Sequence, residues 1–285
     1  MRKPRNLNTP KSSIHQHKPS PIIHRILFLL IAVGTQACSV IADSPASSRN
    51  SNTPNIPYCI TGSQTVNEPL FTQGLLLHNN LLYTSGGGYG KSKLRWENLQ
   101  TKEKHQIDLP NHWFAEGIAL TPQGLWLLTW KQGIASLRHP KTLQEIKRAN
   151  YKGQGWGLTY TGTQLVMSNG SDKLYFRNPE TFKLEKVLKV TENGKATKQL
   201  NELEFIDGSI YANIWRSDKI LKISTKTGKV EGTINLEEIS KRHKEQGVLN
   251  GVAWNKHEQK ILIGGKNWNQ AYNLKLKSCT LHKQK

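Results

Sequence analysis

The chain has 285 residues, 36% of them hydrophobic, with 8 Trp and 23 Gly, which excludes a disordered or fibrous chain and describes a globular one rich in turns. Its formal charge of +20 raises the question of a nucleic-acid or anionic partner. The cations alternate with acids, as in Lys91, Lys93, Arg95 and Glu97, or Lys183, Glu185 and Lys186. That pattern is a solvated basic surface and argues against nucleic acid.

In chain order, the first feature is a targeting segment. Six basic residues and no acid precede an apolar run at 26–33. The run is too short to span a bilayer and has the length of a signal-peptide core, so residues 1–37 are expected to be a signal peptide. Gly34-Thr-Gln-Ala-Cys38 resembles a lipoprotein processing box with Cys38 as the lipidated residue. Thr35 stands where an aliphatic residue is usual, which keeps cleavage after Ala37 or Ala42 as an alternative. The expected location is the periplasm or cell envelope, or secretion, with membrane contact only through the lipid. Residues 38–58, rich in Ser, Pro and Asn, are expected to be a linker, and 59–285 the folded domain.

Export bears on the three cysteines, Cys38, Cys59 and Cys279. With Cys38 lipidated or removed, Cys59 and Cys279 are left at opposite ends of the domain in an oxidising compartment. A bond tying the first strand to the last is expected, with two buried thiols as the alternative.

From Cys59 onward the sequence repeats. Short strand runs such as Leu82-Tyr-Thr-Ser, Trp126-Leu-Leu-Thr, Val166-Met-Ser-Asn and Tyr211-Ala-Asn-Ile are each followed by a second run, ending near Arg95, Arg138, Arg177 and Ser224. Those four points are 43, 39 and 47 residues apart, a blade-sized period. Turns of the Asp-Gly, Thr-Gly and Asn-Pro kind separate the runs, and only 236–246 has a helical pattern. At about 45 residues per four-stranded blade, 227 residues make five, so the predicted fold is an all-β, five-bladed β-propeller of antiparallel blades. A sandwich or barrel does not explain the period.

Among catalytic signatures, there is no His-Glu-x-x-His, Gly-x-Ser-x-Gly, Cys-x-x-Cys or phosphate loop, and the glycines of 86–90 read as a hairpin turn. What recurs at the blade entries is aromatic-plus-polar: Phe71-Thr-Gln-Gly74, Phe114-Ala-Glu-Gly117, Gly155-Trp-Gly-Leu158, Leu200-Asn-Glu-Leu-Glu204 and Leu249-Asn-Gly-Val252. Trp130, Trp215 and Lys266 follow later in the blades. Each Trp alone reads as core. Together with Gln73, Glu116, Asn201 and Lys266 they predict one aromatic-walled pocket. Glu116, an acid in apolar company, is a candidate for a raised pKa and proton transfer, although taken alone it reads as a solvated turn residue.

The ordered motifs Phe-Thr-Gln-Gly-Leu, Phe-x-Glu-Gly-Ile, Leu-Thr-Trp-Lys, Gly-Trp-Gly-Leu-Thr, Asn-Glu-Leu-Glu, Tyr-Ala-Asn-Ile-Trp and Val-Leu-Asn-Gly-Val closely resemble the plant and bacterial type of glutaminyl-peptide cyclotransferase, from Glu68 to Leu276. The resemblance implies a five-bladed propeller that turns an N-terminal glutamine into pyroglutamate with loss of ammonia, without a catalytic metal or cofactor. It implies Glu116 as general acid/base. By chemistry, Gln73 and Asn201 would bind the amide or developing oxyanion and Lys266 would add charge, while Phe71, Phe114, Trp130, Trp156 and Trp215 would wall the pocket. Partners would be Gln-initiated peptides or proteins, met as a monomer. Two departures stand out: Gln154 where the family carries an acid, and Gly86-Gly-Gly where it carries a bulkier turn. A propeller that only binds peptides or scaffolds the envelope is the rival class, and a metal-dependent hydrolase a third.

Overall fold

The structure, a computed structural model, describes residues 53–277. The expected signal peptide, Cys38 and Cys279 lie outside the described residues. β1 (Cys59–Thr65) precedes the first complete blade, β2 (Thr72–His78), β3 (Leu81–Gly86), β4 (Lys93–Asn98) and β5 (Lys104–Asp108). The second blade is β6 (Ala115–Thr121), β7 (Gly124–Thr129), β8 (Ile134–Arg138) and β9 (Glu145–Asn150). The third is β10 (Leu158–Tyr160), β11 (Leu165–Met167), β12 (Lys173–Arg177) and β13 (Leu184–Lys189). A small hairpin, β14 (Thr191–Glu192) with β15 (Lys195–Ala196), leads to the fourth: β16 (Leu200–Ile206), β17 (Ser209–Ile214), β18 (Lys219–Ser224) and β19 (Val230–Asn235). A short helix, α1 (Glu237–Ser240), falls inside the predicted helical stretch, and β20 (Leu249–Asn255), β21 (Lys260–Gly265) and β22 (Gln270–Lys275) follow.

Each blade is a four-stranded antiparallel meander, and the fifth is completed by β1, which pairs with β22 from Cys59 opposite Lys275 to Thr65 opposite Gln270. The fold is the predicted five-bladed β-propeller. Strand exchange at the closure replaces a free edge with a paired one, which is how a ring of sheets avoids exposed strand edges.

The repeat is set by a turn after the third strand. The backbone N–H groups of Lys102, Leu143, Phe182 and Gly228 donate to the carbonyls of Asn98, His139, Asn178 and Ser224, four residues earlier, and all four donors have left-handed φ between 58° and 70°. The Asn98 and Asn178 Oδ1 atoms each accept two N–H bonds inside the turn, the role that makes Asn a turn residue. The equivalent points are therefore 41, 39 and 46 residues apart. Arg95, one of the points expected from the sequence, lies three residues before Asn98 in mid-strand, whereas Arg138 ends its strand directly before His139.

Five apolar clusters fill the five gaps between blades, one per junction. The linker is shorter than expected at its end. Asn55 bridges to Thr233 in β19, the Ile56 amide donates to the Thr233 carbonyl at 2.7 Å, and the Ile56 side chain packs on the fourth and fifth blades. The folded edge thus begins before Cys59, because a single Ile finds an open strand and an apolar gap within a Pro/Asn-rich stretch that carries no periodicity.

Candidate active site

The first strand of each blade runs nearest the ring's centre, and in four of them the pairing register breaks at one place: between Thr72 and Gly74, Ala115 and Ile118, Leu200 and Leu203, and Leu249 and Val252. A bulge of this kind turns side chains out of the alternation and re-aims them. The residues so placed are Gln73, Glu116, Asn201 and Asn250, one per blade, with Trp156 at the corresponding point ahead of β10. The next residue is glycine in four blades because the strands crowd there. A Cβ on Gly117 would lie 2.4 Å from the Leu158 nitrogen, and the Gly117 amide donates to the Trp156 carbonyl at 2.6 Å.

A second ring of positions lies just beyond the second strand of each blade: Gly87, Trp130, Gly170, Trp215 and Lys266. Size alternates around this second ring. Where the outer position is glycine, an aromatic from a blade entry takes the space: a Cβ on Gly87 would meet the Phe114 ring at 2.2 Å. The glycine run at 86–90 is thus a hairpin turn whose small residues seat Phe114.

These rings enclose a cavity of about 280 Å³ lined by Phe71, Gln73, Phe114, Glu116, Trp130, Trp156, Asn201, Trp215 and Lys266. All nine residues predicted for the pocket line it together. Its wall is a continuous arc: Phe71 meets Phe114 edge-on at 6.2 Å between centroids, Phe114 meets Trp130 at 5.5 Å, and Trp156 meets Trp215 at 5.6 Å. Gln154 closes the gap, its Oε1 accepting from the indole N–H of both Trp130 (2.7 Å) and Trp156 (3.0 Å).

The polar side is a network. Gln73 Nε2 donates to Glu116 Oε1 at 2.9 Å, Asn201 Nδ2 donates to Asn250 Oδ1 at 2.8 Å, and Asn250 Nδ2 donates to the Thr72 carbonyl at 2.9 Å. Ser85 donates to the Glu116 carbonyl at 2.5 Å and fixes the bulge. Glu116 is only 4% exposed, so it is no solvated turn residue. Burial pushes its carboxyl well above the ordinary carboxylate range, against the opposing pull of the Lys266 charge and the Gln73 hydrogen bond. Lys266 is lowered by its own burial, partly offset by Glu116, and its ammonium sits 4.6 Å from the Phe71 ring centroid. Among the described residues no group of three or more His, Cys, Asp or Glu side chains is placed to hold a metal ion.

Comparison with known proteins gives the site its context. The family described as glutamine cyclotransferase matches residues 29–276. The chain belongs to the glutamine cyclotransferase family. It is 35% identical over 218 residues to the glutaminyl-peptide cyclotransferase of Arabidopsis thaliana, covering 74% of this chain and 68% of that one. It is also similar to the crystal structure of a glutaminyl cyclase from Myxococcus xanthus, with a TM-score of 0.74 and 31% identity, over 80% of this chain and all of that one.

Two residues that hydrogen-bond the lining of this cyclotransferase pocket carry no assignment from sequence. Asn250 lies within the Leu249-Asn-Gly-Val252 entry segment and shares the phase of Glu116, the signal that could have found it. Gln154 was noted only as a departure from the family. Asn201 lines the cavity with one Nδ2 hydrogen committed to Asn250.

Proposed function

We propose that this cyclotransferase closes the N-terminal glutamine of peptides or proteins to pyroglutamate, with Glu116 carrying the proton and with no metal. One observation carries the proposal: a carboxylate buried at the floor of a small aromatic cavity, hydrogen-bonded to Gln73 and sensing the Lys266 charge.

The substrate's α-amine and γ-carboxamide must be brought into contact, and a pocket sized for one side chain does this by holding the chain bent between flat walls. The neutral amine attacks the carbonyl carbon of the γ-carboxamide and the carbonyl oxygen gains charge, which Gln73 or Lys266 would stabilise. Ionised Glu116 takes a proton from the new C–N nitrogen and returns it to the departing nitrogen, which leaves as ammonia. The lactam keeps one N–H and Glu116 ends ionised as it began. A pKa raised by burial makes the Glu116 carboxylate a better proton acceptor than an ordinary one.

Mass spectrometry of a Gln-initiated peptide incubated with the purified protein tests this. The expected product is 17 Da lighter, the mass of ammonia, with the same rate in chelator and a rate about 10³-fold lower with Glu116→Gln. A Glu116→Gln variant with wild-type turnover, or a rate abolished by chelator, would sink it.

We also propose, from the sequence features at 1–38, that the protein is an exported, lipid-anchored monomer. Cys59 is disulfide-bonded, and β22 carries the chain back beside β1, which supports Cys279 as the partner. Non-reducing peptide mapping reads the pair directly, and labelling cells with a radioactive fatty acid reads the Cys38 anchor.

A further inference from the structure

The pocket's wall carries cations on its outer side. Lys131 Nζ lies 4.0 Å from the Trp130 ring centroid, and the Arg216 guanidinium carbon 4.6 Å from that of Trp215. Each follows its Trp directly in sequence, so the same blade phase supplies an aromatic to the cavity and a charge above it. Arg216 holds a left-handed backbone, φ 61°, closed by the Ser217 amide donating to the Ile214 carbonyl at 3.0 Å. A non-glycine residue in that region costs energy, and here it aims the guanidinium over the indole.

Among the described residues neither cation forms an ion pair, although Asp218 is two residues from Arg216. The only acid lining the cavity is Glu116 on its floor, shared with Lys266. Beside the Lys131-bearing indole sits Gln154, a neutral amide that accepts from the indole N–H groups of Trp130 and Trp156, and Trp156 in turn meets the Arg216-bearing Trp215 edge-on. Among the described residues, both cations beside the pocket wall are thus without a carboxylate at ion-pair distance.

In a cyclisation of N-terminal glutamine, both reacting groups belong to residue 1, so residues 2 and 3 of the substrate leave through this mouth. An extended chain advances about 3.5 Å per residue, which keeps those side chains within reach of long Lys and Arg side chains. We propose that Lys131 and Arg216 select substrates with an Asp or Glu at position 2 or 3, and that Gln154 preserves the selection by keeping the mouth free of negative charge. This rests on the cyclotransferase function above and names its substrate class. An acidic residue would also offset the positive field met by the entering α-ammonium.

The test is kcat/KM for three peptides, Gln-Ala-Ala, Gln-Glu-Ala and Gln-Lys-Ala, on the full exported protein. The expected order is Glu, Ala, Lys, with about a tenfold span between the extremes at low salt, shrinking to about twofold at 1 M salt as exposed charges are screened. The double variant Lys131→Ala/Arg216→Ala is expected to bring the three rates together. Gln154→Glu, which keeps both indole acceptors and leaves the cations in place, is expected to remove the preference for Glu by adding a charge; Gln154→Leu is not. Equal rates in the wild type, a preference that survives in the double variant, or one unaffected by Gln154→Glu overturns the proposal. Absence of turnover on all three peptides would instead overturn the cyclotransferase function itself.

Discussion

Glu116 and Glu202 are both buried carboxylates on innermost strands, and burial pushes both well above the ordinary carboxylate range. Their partners differ. Glu116 is held by a side-chain amide and faces a cavity. Glu202 stands where four other blades have glycine, and it accepts backbone N–H bonds from Leu75 (3.3 Å) of the first blade and Val252 (2.9 Å) of the fifth. Glu204, two residues on, likewise accepts from the Trp254 amide at 2.9 Å and the Thr159 hydroxyl at 3.4 Å. A side-chain partner beside open space can yield to a substrate, whereas a backbone partner is part of the ring. Burial and a perturbed pKa therefore do not by themselves mark the reactive acid.

The largest expected effect that separates the two is on turnover. Glu116→Gln keeps the volume and a hydrogen-bonding oxygen, and it is expected to cost about 10³-fold in kcat with the unfolding midpoint little changed. Glu202→Gln is expected to do the reverse. Its amide sets an NH₂ donor against a backbone donor across two blades, costing about 3 kcal/mol in urea unfolding while the remaining folded protein keeps its turnover. A Glu202→Gln protein that folds normally but lacks activity would erase the contrast.

Proton linkage sharpens it further. Glu116 must be ionised to accept a proton, so the acid limb of the kcat/KM profile is expected above the ordinary carboxylate range. Lys266 favours the ionised form, and Lys266→Met is expected to move that limb to higher pH. A limb that stays in place would remove Lys266 from the pair. The smallest effect falls on stability. Burial raises Glu204 to about 8, so the fold favours its protonated form, and that contribution is complete below the ordinary carboxylate value and lost as pH rises towards 8. The melting temperature is expected to fall over pH 5 to 8, and Glu204→Gln to flatten the slope.

Much of this was legible in the chain because a propeller writes its plan as a period. Turn residues such as Asn98 and Asn178 recur once per blade, and the entry segments carry their aromatics and amides at a shared phase. Glu202 and Glu204 were visible only as members of such a segment. Nothing in Leu200-Asn-Glu-Leu-Glu204 says that the first Glu clamps two neighbouring blades, since the amides it binds lie 127 and 50 residues away. Arg95 misled for the opposite reason, sharing chemistry with Arg138 without sharing its register.

The sequence by itself determined the number of blades and the nine pocket residues, as residue types at a repeated spacing, and the family, through the resemblance of its ordered motifs. Tertiary structure alone decided direction. The bulges at Gln73, Glu116, Asn201 and Asn250 aim polar groups out of strands whose alternation would have paired them elsewhere. Two indoles from different turns meet on one Gln154 oxygen, and Pro54 to Ile56 dock on a strand about 180 residues away. Such contacts depend on which backbones the ring brings within a few ångströms, and a linear period carries no record of that distance.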